Sequence, residues 1–274
     1  MIKDVLVSLD LDGQVATRFA ISVARAFEAH LTAIAFSYEA PLPAYVAGRV
    51  AVDLIEAERK KRDDAVQNAV AEFNASAQRA GVAAESHLIA EGMAQAADRF
   101  GKLARGFDIA VLSQPRPGRS PAQQLIFEAA LFESGRPLLI APYIQRDEIR
   151  LDRVMVCWDG SRNAARAVGD AMPFLALAKE IEIVIVTGRE GESDEIAGAD
   201  IARHLARHRL RVELRQIVVP DLDVATTILS HAADAGSDLM IMGGYGHSRV
   251  RELILGGATR GILSAMTIPT LMSH

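Results

Sequence analysis

The chain repeats itself once, and that repeat limits what it can fold into. The apolar run Val5-Leu6-Val7-Ser8-Leu9-Asp10 returns as Val154-Met155-Val156-Cys157-Trp158-Asp159. A stretch with helical spacing over residues 16–30 (Phe19, Ala20, Val23, Ala24, Phe27) returns over 164–177. Apolar strands at 31–36, 107–112 and 137–142 return at 182–187, 237–242 and 268–272. The first copy is longer because it carries a proline-bearing segment, 37–52, and a charged helix over 53–79 that Gly81 closes. In its place the second copy has a shorter connection over 193–209, with His204 and His208 read as lying on a helix. Strands at 83–89 and 212–219 and helices at 93–104, 122–133 and 224–235 complete the alternation. A repeat of this size means tandem domains rather than a solenoid. Their expected bounds are 1–146 and 152–274, joined by the polar stretch 143–152. Alternating strands and helices imply parallel sheets with right-handed crossovers and helices on both faces. Ligands of such sheets sit beyond the carboxyl ends of the strands.

Composition supports this class and removes others. Half of the 274 residues are hydrophobic and only 5% aromatic, as parallel sheets under helices require. A net charge of −5 argues against a general nucleic-acid binder. The single cysteine, Cys157, rules out an intramolecular disulfide framework and fits a reducing compartment. Its apolar neighbours make it a small buried hydrophobe rather than a reactive thiol. The opening MIKDVLVSLDLDG reads as strand and turn, without the apolar core and cleavage site of a secretion signal. No stretch reaches the roughly 18 apolar residues of a membrane span, so a cytoplasmic location is expected.

The stretch 239–259, LMIMGGYGHSRVRELILGGAT, carries the most chemistry. A buried strand ends in Gly243-Gly244-Tyr245-Gly246, a polar loop His247-Ser248-Arg249 follows, and Gly256-Gly257 precede a helix opening at Ala258-Thr259. Glycines here let backbone approach an anion while the first turn of the helix points N–H groups at it. The glycines alone fit a phosphate cradle or a ligand-free connection equally well. The matching stretch of the first copy, Ser113-Gln114-Pro115-Arg116-Pro117-Gly118-Arg119-Ser120-Pro121, puts three prolines where donors are needed, so a backbone anion nest is not expected there.

Three features together resemble the universal stress protein family: Met242-Gly243-x2-Gly246-x9-Gly256 after a buried strand, Val156-Cys157-Trp158-Asp159-Gly160-Ser161 at the start of the second copy, and the closing Thr267-Ile268-Pro269-Thr270-Leu271-Met272. The resemblance covers the whole chain as two tandem copies. It implies an α/β fold of two doubly wound domains, each a five-stranded parallel sheet in the order 3-2-1-4-5, of the adenine nucleotide alpha hydrolase-like type. It also implies that the last strands of the two domains pair antiparallel. By the same likeness, Trp158 and Asp159 meet the adenosine of ATP or a related adenine nucleotide, and Val186 or Thr187 offers backbone to the base. Met242, Gly243, Gly246, Gly256, Gly257 and Ala258 line the phosphates, His247 adds a charge-assisted bond, and Mg2+ is a possible companion ion. The family pattern places Ser or Thr after the last glycine; here that position is Gly257, and Thr259 is the nearest candidate to replace the hydroxyl.

Other residues have plainer readings. Asp10 and Asp12 read as turn residues. His204 and His208 are spaced for metal, but Arg203, Arg207, Arg209 and Arg211 surround them, so a basic helix surface is the better reading. Residues 188–198 form an acidic loop over the crevice or a solvated one. No Walker-type Gly-Lys-Ser/Thr, no Gly-x-Ser-x-Gly and no Cys-x-x-Cys motif is present. The expectation is therefore a non-catalytic, nucleotide-responsive stress-response protein with one site, in the second domain. A nucleotide-free interaction scaffold and a slow ATP-hydrolysing enzyme are the alternatives. Partners would be the nucleotide, a protein and a possible second copy of the chain, with neither nucleic acid nor membrane.

Overall fold

The structure, a computed structural model, describes residues 1–10, 14–38, 49–116, 120–187, 198–219, 223–244 and 257–274, with backbone alone for 49–55 and 58. The first half runs β1 (Asp4–Ser8), α1 (Val15–Phe27), β2 (His30–Tyr38), α2 (Arg49–Arg79), β3 (Ala84–Glu91), α3 (Met93–Ala104), β4 (Ile109–Ser113), α4 (Pro121–Phe132) and β5 (Leu138–Ala141). The second runs β6 (Arg153–Cys157), α5 (Arg162–Leu175), β7 (Glu180–Thr187), α6 (Ala199–Arg207), β8 (Val212–Val218), α7 (Val224–Ala235), β9 (Leu239–Gly243), α8 (Gly257–Ala265) and β10 (Thr270–Ser273). The charged helix α2 starts four residues earlier than its spacing predicts, and α6 lies within the shorter connection of the second half.

All ten strands form one sheet in the order β3-β2-β1-β4-β5-β10-β9-β6-β7-β8. Each half is parallel in the order 3-2-1-4-5, and the halves meet where β5 and β10 pair antiparallel. The register there is Thr270 with Ile140, Leu271 with Leu139 and Met272 with Leu138. All six are fully buried. The central strands are apolar on both faces because helices cover both. The outer strands β3 and β8 instead alternate half-buried and exposed residues, as edges must.

Side chains alternate between the two faces of each strand, so the core divides into two layers. One lies under α1, α2, α5 and α6, the other under α3, α4, α7 and α8, and each layer crosses from one half to the other. Phe27 of α1 and Phe174 of α5 meet edge-on across the halves, with ring centroids 4.8 Å apart. Helix starts follow local chemistry: Ser120, Ser161 and Asp223 each accept a hydrogen bond from a first-turn N–H of α4, α5 and α7.

The stretch after β5 is no free linker. The N–H of Ile149 donates to Ser22 Oγ on α1 at 3.0 Å, Arg25 pairs with Glu148, and Ile149 and Leu151 pack against the core.

Leu271→Ala removes a fully buried side chain from the β5–β10 pairing and is expected to destabilise the protein by about 2–5 kcal/mol, read as a lower urea midpoint. An unchanged midpoint would contradict this account of the seam.

Candidate functional site

In the second half the strand ends gather the sequence-predicted residues from three directions. β6 delivers Trp158 and Asp159. The Trp158 N–H donates to Val184 O at 2.9 Å, which continues the β6–β7 ladder by one residue. The ring of Trp158 is half-buried and packs against the core layer under α5. Asp159 is exposed, and its Oδ1 accepts the Ser161 N–H at 2.9 Å, folding the turn that leads into α5.

β7 runs past the last paired residue of β6. Parallel ladders alternate the direction of successive carbonyls. Thr187 O faces β8, where it accepts the Val219 N–H at 2.8 Å, and Thr187 Oγ1 accepts from Gln216 Nε2. Val184 O faces β6, so Val186 O faces the same side, beyond Cys157 where β6 has ended. Of the two residues expected to offer backbone, Val186 is therefore the one turned towards the crevice.

β9 ends at Gly243, and here glycine is a steric requirement. A β-carbon would lie 2.6 Å from the Ala164 N and 2.7 Å from the Asn163 carbonyl carbon. Only a bare backbone lets the strand end sit against the first turn of α5. Met242 beside it is buried. Gly244 is bound on both sides: its N–H donates to Ser273 O at 2.8 Å, and its carbonyl accepts from Asn163 Nδ2 at 2.6 Å. His274 Nδ1 lies 3.1 Å from the same carbonyl and 3.2 Å from Asn163 Nδ2. Sequence reading missed Asn163, which is 4% exposed; a polar residue inside the buried face of a helix start was the available signal.

A β9–α8–β10 crossover puts the N-terminus of α8 at the carboxyl ends of these strands. Gly257 opens α8 exposed, with open space to 4 Å around the place a β-carbon would take. Ala258 is half-buried, and the first turn carries no acidic residue. Thr259 is only 5% exposed. Residues two apart on a helix lie on opposite faces, so the Thr259 hydroxyl does not take the place of one missing at Gly257. Gly246, His247 and Gly256, with Ser248 and Arg249, lie outside the described residues.

The first half repeats the geometry with other residues. Gln114 stands where Gly244 stands, its N–H donating to Ala141 O at 2.8 Å. Its side chain is buried: Nε2 donates to Leu263 O on α8 at 2.9 Å, and Oε1 accepts the Tyr143 N–H at 3.1 Å. Arg116 lies over the Tyr143 ring, 4.9 Å from its centroid. Asp10 corrects the sequence reading. Rather than simply making a turn, it lines a cavity, where it accepts from Ser113 Oγ at 3.2 Å and Gln123 Nε2 at 2.9 Å. Asp12 lies outside the described residues. His204 and His208 are exposed and meet edge-on, 4.9 Å between centroids. Among the described residues no three His, Cys, Asp or Glu side chains converge as a metal site would need.

Residues 150–274, a little under half of the chain, match the universal stress protein family. Universal stress protein Slr1230 of Synechocystis sp. is 29% identical over 144 residues, 50% of this chain and 46% of that protein, so the match spans about half of the relative's length. A universal stress protein from Archaeoglobus fulgidus superposes with a TM-score of 0.70 at 15% identity, covering 98% of this chain and 95% of that one. A universal-stress-type protein from Pseudomonas aeruginosa gives 0.61 at 13%, covering 99% and 93%. At those identities the likeness is one of fold, and it extends over both halves.

Burial, and next the charge of Asp159, push the Cys157 thiol up from 9.0 to about 12. At about pH 8 the folded protein is expected to resist an aromatic disulfide reagent and to react only on unfolding. The contribution of this thiol to stability is complete below about pH 9 and is lost as pH rises towards 12. Immediate labelling of the native protein would contradict this.

Proposed function

We propose that the second half binds ATP or a related adenine nucleotide, and that the chain is a nucleotide-responsive stress protein built of two domains, 1–146 and 152–274. The observation that supports this best is the start of α8: an exposed, acid-free helix N-terminus opening on Gly257, set beyond the carboxyl ends of the strands. That is a site for phosphate. Gly243, Gly257, Ala258 and the backbone of Thr259 would hold the phosphates, joined by Gly246, His247 and Gly256. Asp159 presents a carboxylate at the rim for ribose hydroxyls, and Val186 a carbonyl for the base, while Trp158 and Met242 fix the strand ends. Mg2+ would come with the phosphates, since the described residues do not converge on a metal.

In this reading the nucleotide acts as a ligand that shifts a binding equilibrium rather than as a turned-over substrate. Among the described residues no helix is long and apolar enough to cross a membrane, and a cytoplasmic location fits the proposal. The nucleotide-free scaffold remains the second reading because Gly257 lacks the hydroxyl of the family pattern.

The test is the mass of whatever small molecule the never-dialysed protein releases on denaturation. ATP, ADP or AMP is expected in stoichiometric amount. Gly257→Asp should abolish it without harm to the fold, because the space is open and a carboxylate in a helix's first turn is favourable. Gly257→Ser should tighten ATP about fivefold, the value of one added hydrogen bond of about 1 kcal/mol. Protein that releases nothing and gains no thermal stability with ATP and Mg2+ would favour the scaffold.

A further inference from the structure

The first half holds a cavity of about 220 Å3 in the crevice that corresponds to the nucleotide site of the second. One wall is apolar: Phe36 and Tyr38 stand side by side, ring centroids 6.2 Å apart and 20° from parallel, and face Leu112 and Ile126. The polar part is Asp10, steadied by Ser113 and Gln123. None of the described lining residues is a Lys, Arg or His. Gln114, where the second half has a glycine, spends its side chain on Leu263 and Tyr143, and Arg116 is drawn onto Tyr143, so neither supplies the cavity with an anion-binding donor. The charged group among the described lining residues is the Asp10 carboxylate, set among apolar groups where charges act more strongly than in water. Tyr38 reports this field: burial, and then the charge of Asp10, push its phenol up to about 12.

We propose that this cavity is a second ligand site, which takes a small planar organic cation, an amidine or protonated aromatic amine. The size agrees, because a dry cavity of about 150 Å3 admits benzene and this one leaves room for a ring bearing a small polar group. The ring would lie against Phe36 and Tyr38, whose faces favour cations. Its charged end would reach Asp10, and a planar amidinium can give a carboxylate two parallel hydrogen bonds. The site is independent of the nucleotide proposed for the second half, and shares no residue with it.

The experiment titrates the full-length protein with benzamidine and, separately, with its anionic counterpart benzoate, followed by NMR. Benzamidine should bind with contacts from its ring protons to the Phe36 and Tyr38 rings, at least tenfold more tightly than benzoate. Asp10→Asn should weaken benzamidine at least tenfold. Ser8→Leu fills part of the cavity without touching the partners of Asp10, and should block the probe even if Asp10→Asn proves unfolded. Equal binding of benzoate, binding unchanged in a folded Ser8→Leu, contacts elsewhere on the protein, or no binding of benzamidine at millimolar concentration would each overturn the proposal.

Discussion

The pairing of β5 with β10 is the contact on which the rest depends. Each half ends in a short strand, Leu-Leu-Ile-Ala in one and Thr-Leu-Met-Ser in the other, too apolar to stand as an exposed sheet edge. Pairing them covers both edges at once and fuses two five-stranded sheets into one of ten. Because the pairing is antiparallel, the strands of the halves run in opposite directions, and their carboxyl ends, with the crevices beyond them, lie at opposite ends of the sheet. The end of each half's fourth strand meets the far end of the other half's last helix. Gln114 reaches Leu263 on α8, and a β-carbon at Gly244 would touch the side chain of Leu131 on α4 at 3.5 Å.

Within that common frame two backbone positions separate the roles of the halves. Gly243 lets its strand end pack against the first turn of α5, and Gly244 is bound to Ser273 and Asn163. Ser113 and Gln114 occupy the same places in the first half, one holding Asp10 and the other joining the halves. The first crevice carries a carboxylate of its own, Asp10. The halves keep one fold because strand order and core depend on buried apolar side chains, which both retain; the ligand chemistry rests on a few loop residues that tolerate exchange.

Much of this was legible from the residues. The return of Val5–Asp10 as Val154–Asp159 carries the tandem architecture, since apolar runs broken by helical spacing leave few topologies. Gly243 ends a buried strand as the sequence reads, and α8 opens at Gly257, one residue before the expected Ala258, while Gly246 and Gly256 lie outside the described residues. Asn163 offered only the signal of a polar residue on a buried helix face; its partner was not legible, since the bond to Gly244 joins residues far apart in sequence that only the β9–α5 approach brings together. Nor was Asp10, because a carboxylate just after a strand looks alike whether it makes a turn or lines a cavity. The docking of 143–152 on α1 was hidden for a similar reason: its polar composition suits a linker, while Ile149 and Leu151 supply the contacts.

The central claim, one adenine nucleotide site per chain and that in the second half, is tested most directly by calorimetric titration of the full chain with ATP. The account predicts one nucleotide per chain, with Asp10→Asn leaving that stoichiometry and affinity unchanged. Two equivalent sites per chain would contradict it, as would a single site lost on Asp10→Asn in a folded protein.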